Sequence, residues 1–137
     1  MDLHRQWSIA LRECYSKRDP HHDSFTLDRS AVGIDLTYIS RQKSWIRCRM
    51  DPRLRHLWIC NLEVTESFRR RGIGSELVRT VELFGQSCHT EAFWVFPLLR
   101  ATRFWRQRGY QPAPGKYRLL TKPSDSPPPV RVGIDMV

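Results

Sequence analysis

Apolar residues fall at Leu3, Trp7, Ala10, Leu11 and Cys14, the three-to-four spacing of one helix face, and Asp2 stands where an N-cap belongs. The pattern predicts an amphipathic helix from Leu3 to Tyr15. Asp19 to Ser24 is polar, carries Pro20 and reads as a loop. Val32, Ile34, Leu36 and Tyr38 then alternate with Gly33, Asp35 and Thr37, the period of a half-buried strand. After a polar break at Ser40 to Lys43, Trp45, Ile46, Cys48 and Met50 fit a second strand. Asp51-Pro52-Arg53 is a turn, and Leu57 to Val64 is a third, more continuously apolar strand. These three strands are expected to form an antiparallel meander.

Ile73, Leu77, Val78, Val81 and Phe84 mark one face of a helix that Gly85 can end. Ala92 to Leu98 is aromatic-rich and bounded by polar residues, as a central strand buried on both faces would be. Ala101, Phe104 and Trp105 define a short helix stopped by Gly109, and Lys116 to Thr121 can form a last strand. The order helix, three strands, helix, strand, helix, strand predicts a mixed α/β sandwich of the α+β type, its helices covering a sheet. Residues 1–121 are read as one domain. Lys122 to Pro129, with four prolines and two serines, opens an extended, mobile tail over 122–137.

Composition narrows the function classes. At 137 residues, 40% hydrophobic with five Trp, the chain can bury one core. Its longest apolar run, Ala92 to Leu99, is interrupted by Pro97 and falls short of the roughly 20 residues of a membrane-spanning helix. Met-Asp-Leu-His-Arg has no secretory pattern, so a soluble, intracellular, cytoplasmic protein is expected. Cys14, Cys48, Cys60 and Cys88 form no C-x-x-C pair and are expected as free thiols. His21 and His22 are adjacent and point apart in extended chain with no third ligand nearby, so no metal site is expected. The net charge of +9, mostly from Arg, suits a polyanionic ligand such as a nucleotide cofactor, a nucleic acid or an acidic protein face.

The chemistry concentrates in Leu62-Glu63-Val64-Thr65-Glu66-Ser67-Phe68-Arg69-Arg70-Arg71-Gly72-Ile73-Gly74-Ser75, a strand leading through a basic, glycine-containing turn into a helix. The first N–H groups of a helix lack internal partners and its dipole favours anions, so such a turn can hold a diphosphate. Gly72 and Gly74 let backbone approach the ligand. Here the segment resembles the GNAT N-acetyltransferase superfamily, whose coenzyme A signature is R/Q-x-x-G-x-G/A. Arg69, Gly72 and Gly74 fill that signature, five positions after the Leu62-x-Val64 strand end. Ala101-x-x-Phe104-Trp105-x-x-x-Gly109-Tyr110 resembles the family's A-x-x-F-Y-x-x-x-G-F helix and turn. The resemblance runs from the second strand to residue 121.

The resemblance implies a GNAT fold, with splayed central strands in a mostly antiparallel sheet, and acetyl-coenzyme A as cosubstrate. It implies a diphosphate held at Arg69, Arg70, Arg71, Gly72, Ile73, Gly74 and Ser75, a pantetheine arm along Leu62 and Val64, and Trp105 at the cofactor. N–H groups near Leu62 to Val64 are then placed to polarise the thioester carbonyl. The chain departs from the family where a proton-donating tyrosine is replaced by Trp105, where an Asn is replaced by Leu98, and where a helix stands in place of a first strand. Strand alternation sends Glu63 to the face opposite Leu62 and Val64, which makes it the best-placed general base. Glu66 and Glu91 are weaker candidates, and Tyr110 is expected to pack rather than move protons. The expected activity is N-acetyl transfer to an amine on a protein, RNA or small molecule. The alternative is a GNAT-like module that binds coenzyme A or a polyanion without turnover.

Overall fold

The computed structural model describes residues 2–14, 24–40, 43–65, 72–116 and 118–124. Helix α1 runs Leu3–Cys14, and the Arg5 N–H donates to Asp2 Oδ1 at 3.2 Å, the cap that the sequence suggested. Four strands follow: β1 Ser24–Ser30, β2 Gly33–Ile39, β3 Trp45–Met50 and β4 His56–Glu63. After helix α2, Ile73–Ser87, come β5 Ala92–Val95, a 3-10 turn Leu99–Ala101, helix α3 Thr102–Gln107, β6 Gln111–Pro112 and β7 Leu120–Pro123. The loop expected at Asp19 to Ser24 lies outside the described residues except for Ser24, which opens β1.

All seven strands join one sheet in the order β1-β2-β3-β4-β5-β7-β6, antiparallel throughout except for the β4–β5 pair. The expected three-strand meander is therefore four strands long. The added strand, β1, has little apolar signature of its own, since only Phe25 and Leu27 face the core and both are only half-buried. It fills the sheet's outer position after α1 rather than before it. β2 starts at Gly33, with Val32 exposed in the hairpin turn.

The core lies between one face of the sheet and the two long helices. Trp7 of α1 stacks on Phe25 at 4.7 Å, tilts over Tyr38 at 5.0 Å and meets Phe84 of α2 edge-on at 5.4 Å. One indole thus ties α1 to β1, β2 and α2. Leu36, Ile46, Cys48, Met50, Leu57 and Phe93 are fully buried on that sheet face. Alternation sends Asp35, Arg47, Arg49 and Trp58 to the other face, where Arg49 pairs with Asp35 at 2.7 Å and Trp58 stacks on Trp94 at 5.4 Å.

Three sequence expectations need correction. Gly85 does not end its helix; α2 continues to Ser87, and Gly85 is buried where an added Cβ would lie 2.4 Å from Phe93 Cε1. The glycine admits the aromatic ring of β5, a tertiary demand that local reading takes for a stop signal. The strand expected over Ala92 to Leu98 ends at Val95, and Phe96 and Leu98 are exposed. The last strand is Leu120–Pro123 rather than Lys116 to Thr121, and its partner β6 had not been read. Lys122 and Pro123 thus belong to the sheet, while the tail residues 125–137 lie outside the described residues. Cys48 and Cys88 are buried free thiols and Cys60 is an exposed one. Among the described residues no helix is long and apolar enough to cross a membrane.

Candidate active site

β4 and β5 run side by side for four rungs, from His56 opposite Ala92 to Ile59 opposite Val95, and then part. The cause lies in both strands. On its other edge β4 pairs Ile59 with Cys48 but Asn61 with Arg47, which leaves Cys60 as an extra residue. Such a bulge bends and twists its strand. β5 stops at Val95, and Pro97 two residues on has no N–H to continue a ladder. Among the described residues no strand pairs with Cys60 to Glu63 on the β5 side, and a cleft of about 600 Å³ opens there. Ile59 to Val64 form one wall, and Val95 to Leu98 with Arg100, Ala101, Phe104 and Trp105 form the other.

The bulge also sorts the side chains. Leu62 lies opposite Ile46 and is half-buried toward the core, whereas Glu63 lies opposite Trp45 and is exposed at the cleft wall. The expected separation of Glu63 from Leu62 is present. Glu91 precedes β5, at the end of the sheet away from the cleft, and Glu66 lies outside the described residues.

The same wall leads into α2. Gly72 is its N-cap at φ 78°, ψ 7°, a left-handed conformation that side chains rarely adopt, and a Cβ there would meet nothing within 4 Å. The first N–H bonded inside the helix is that of Glu76, to the Gly72 carbonyl at 3.0 Å, so those of Ile73, Gly74 and Ser75 have no partner within it. Gly74 is buried between strand end and helix: an added Cβ would sit 3.3 Å from Phe104 Cε1 and 3.4 Å from Val64 Cγ2. Gly72 thus leaves open space and Gly74 permits close packing. Arg69, Arg70 and Arg71 lie outside the described residues.

Trp105 is buried at the cleft wall, edge-on to Phe104 at 5.1 Å and to Tyr110 at 5.2 Å. Tyr110 is fully buried and its hydroxyl donates to Glu82 Oε2 at 2.9 Å, while Lys122 Nζ donates to the same oxygen at 3.1 Å. Burial first, then the Glu82 carboxylate, push the phenol far above the ordinary tyrosine range. The phenol serves the core, in keeping with its expected packing role.

One contact beside the cleft has only a faint signal in the sequence. Arg108 donates from Nη2 to Ser75 Oγ in the first turn of α2 and from Nη1 to the Phe104 carbonyl at 2.8 Å. Its guanidinium lies 3.9 Å from the Phe104 ring centroid. The available signal was its position four residues after Phe104, which puts both side chains on one helix face. The bulge also had a signal: the apolar positions of β4 slip from odd numbers, Leu57 and Ile59, to even ones, Leu62 and Val64.

The sequence that forms the parting strands and the glycine-capped helix beside them matches a known family. The model of the acetyltransferase (GNAT) family covers residues 5–110. The chain belongs to that family. Solved GNAT structures share its fold at low identity. Tetrahymena GCN5 superposes with a TM-score of 0.56 at 15% identity, over 92% of this chain and 88% of that one. A mutant of the toxin AtaT, bound to the C-terminus of the antitoxin AtaR and acetyl-CoA, gives 0.56 at 19%, over 67% and 69%. Elp3 of the archaeon Methanocaldococcus infernus gives 0.56 at 14%, over 80% of this chain but 32% of its own length. No curated protein matches the chain in sequence.

Proposed function

We propose that this acetyltransferase moves an acetyl group from acetyl-coenzyme A to an amine. The observation that carries the reading is that the first turn of α2, whose leading N–H groups have no partner within the helix, packs beside the β4–β5 cleft, with Gly74 against Val64 and Phe104 of its walls. The AtaT neighbour bound to acetyl-CoA supports the same assignment. On this reading Ile73, Gly74 and Ser75, with Arg69, Arg70 and Arg71 before them, hold the diphosphate. Leu62 and Val64 line the pantetheine arm, and Trp105 closes the apolar floor. Acetyl-coenzyme A supplies an activated thioester acyl group.

The chain's own groups then have separable tasks. N–H groups on the unpaired edge of β4 lie where a thioester carbonyl can be polarised. Glu63 takes the proton of the incoming amine, directly or through one water. Neither position 105, which offers only an indole N–H donor, nor Tyr110, which is engaged with Glu82, supplies a phenol to the departing sulfur. A thiolate leaves without one, its conjugate acid having a pKa of roughly 8.5. A cytoplasmic location fits the free thiols of Cys48, Cys60 and Cys88.

Calorimetric titration with acetyl-coenzyme A, followed by thiol release against an amine panel, tests the reading. Gly72→Asp keeps a residue that tolerates φ > 0 but sets a negative charge against the diphosphate, and is expected to weaken binding about a hundredfold. Gly72→Asn is the uncharged control. A wild type that binds no acetyl-coenzyme A would sink the assignment. The indole at position 105 and the engagement of Tyr110 with Glu82 favour a second reading, a coenzyme A-binding module without turnover, and binding with no thiol released from any amine would select it.

A further inference from the structure

Arg108 is held in surroundings that suit a cation poorly. Its Nε is buried with no hydrogen-bond partner, and burial holds the guanidinium below the usual arginine range, with Glu82 pulling the other way. Its Nη2 reaches Ser75, in the first turn of α2, where the helix dipole is positive and repels a cation. A purely structural account covers only part of this. The bond from Nη1 to the Phe104 carbonyl sits at the C-terminal side of α3, where a cation is favoured, and the Phe104 ring gives a stacking surface. Neither contact needs the second arm of the fork to extend from α3 to α2. An anion at the first turn of α2 reverses the sign of the unfavourable contact.

We infer that Arg108 is a positioning residue for the phosphate of the acyl donor: clamped over Phe104, it orients the Ser75 hydroxyl and brings positive charge from α3 to the first turn of α2. This rests on the reading of that turn as the diphosphate site. It makes the strength of donor binding depend on a contact between two helices, in addition to the arginines that precede Gly72 in sequence. It also makes the site selective for donors that carry phosphate.

The test compares acetyl-coenzyme A with S-acetylpantetheine, which has the thioester arm and no phosphate, on wild type, Arg108→Lys, Arg108→Gln and Ser75→Ala. For Arg108→Gln the dissociation constant for acetyl-coenzyme A is expected to rise roughly ten- to hundredfold, the range for losing a charged hydrogen-bonding partner. That for S-acetylpantetheine should stay within about twofold, and Arg108→Lys should recover part of the loss because it restores charge without the fork. Ser75→Ala removes one hydroxyl and leaves the helix intact. It should weaken acetyl-coenzyme A severalfold, with little further loss when combined with Arg108→Gln, since the two act as one unit. Equal weakening of both donors, or a fall in thermal midpoint with no donor selectivity, would mark Arg108 as a structural tie and overturn the inference. So would full additivity of the Ser75→Ala and Arg108→Gln losses. Unchanged binding in Arg108→Gln, with binding lost in Gly72→Asp, would overturn it while leaving the diphosphate site standing. Failure of the wild type to bind acetyl-coenzyme A would remove both.

Discussion

The two ends of the β4–β5 pair are built from the same kind of sequence and do opposite things. At the His56 end, four rungs close, and Leu57 and Phe93 are fully buried beneath α2. At the Glu63 end, one extra residue in β4 and an early stop in β5 leave a strand edge facing a cleft. Closed rungs satisfy backbone groups internally and bury side chains; parted strands leave those groups for a ligand. The fold therefore separates what holds it together from what it presents, within one pair of strands, eight residues in β4 and four in β5.

That separation can be broken from either end. Phe93→Ala at the closed end empties the space that Gly85 leaves for the ring and is expected to cost about 3–5 kcal/mol, read as a lower denaturant midpoint. Protein that remains folded should still bind acetyl-coenzyme A, and a selective loss of binding at full stability would contradict the division. Glu63→Gln at the open end should do the reverse, lowering turnover roughly a hundredfold at saturating donor while the thermal midpoint stays within about a degree. An unaltered rate would remove Glu63 from the chemistry.

A smaller effect sharpens the contrast through pH. The Cys88 thiol is pushed from 9.0 up to about 11 by burial, and the Tyr110 phenol is pushed up from 10.0. Both are neutral in the fold at pH 8. A raised pKa means that each contribution is complete below the unfolded value and is lost as pH climbs above it, so stability should begin to fall near pH 9. Between pH 8 and 10.5 a loss of roughly 2–3 kcal/mol is expected from these two groups, and the Cys48 thiol, which burial also pushes up from 9.0, adds to it. Cys88→Ala should flatten the first part of that slope; a slope identical to wild type would exclude the thiol as its source.

The sequence reading reached the parts that local chemistry defines. Gly72 and Gly74 at the start of α2, the apolar face of α2 and the Phe104-Trp105 helix are where spacing placed them, and β4 ends at Glu63, one residue before the expected Val64, because each follows from neighbours within a few residues. Other features depend on partners distant in sequence. Gly85 is set by Phe93 and had looked like a helix end. β1 has two half-buried apolar residues and gains its strand identity from the ladder to β2. The shift of the last strand to Leu120–Pro123 follows from its register on β5, where Val95 meets Leu120. Arg108 had looked like one more arginine in a chain rich in them, and only the approach of α3 to Ser75 gives it a role.

The stacked indoles of Trp58 and Trp94 occupy the third of the four closed rungs, one rung before the strands part. Two such chromophores 5.4 Å apart and inclined by 20° exchange excitation energy, so their ultraviolet dichroism is a signature of their spacing. The molecule carries an optical gauge at the hinge of its own cleft. A donor that slides into a preformed gap leaves that signature in place, and one that wedges the strands further apart rewrites it.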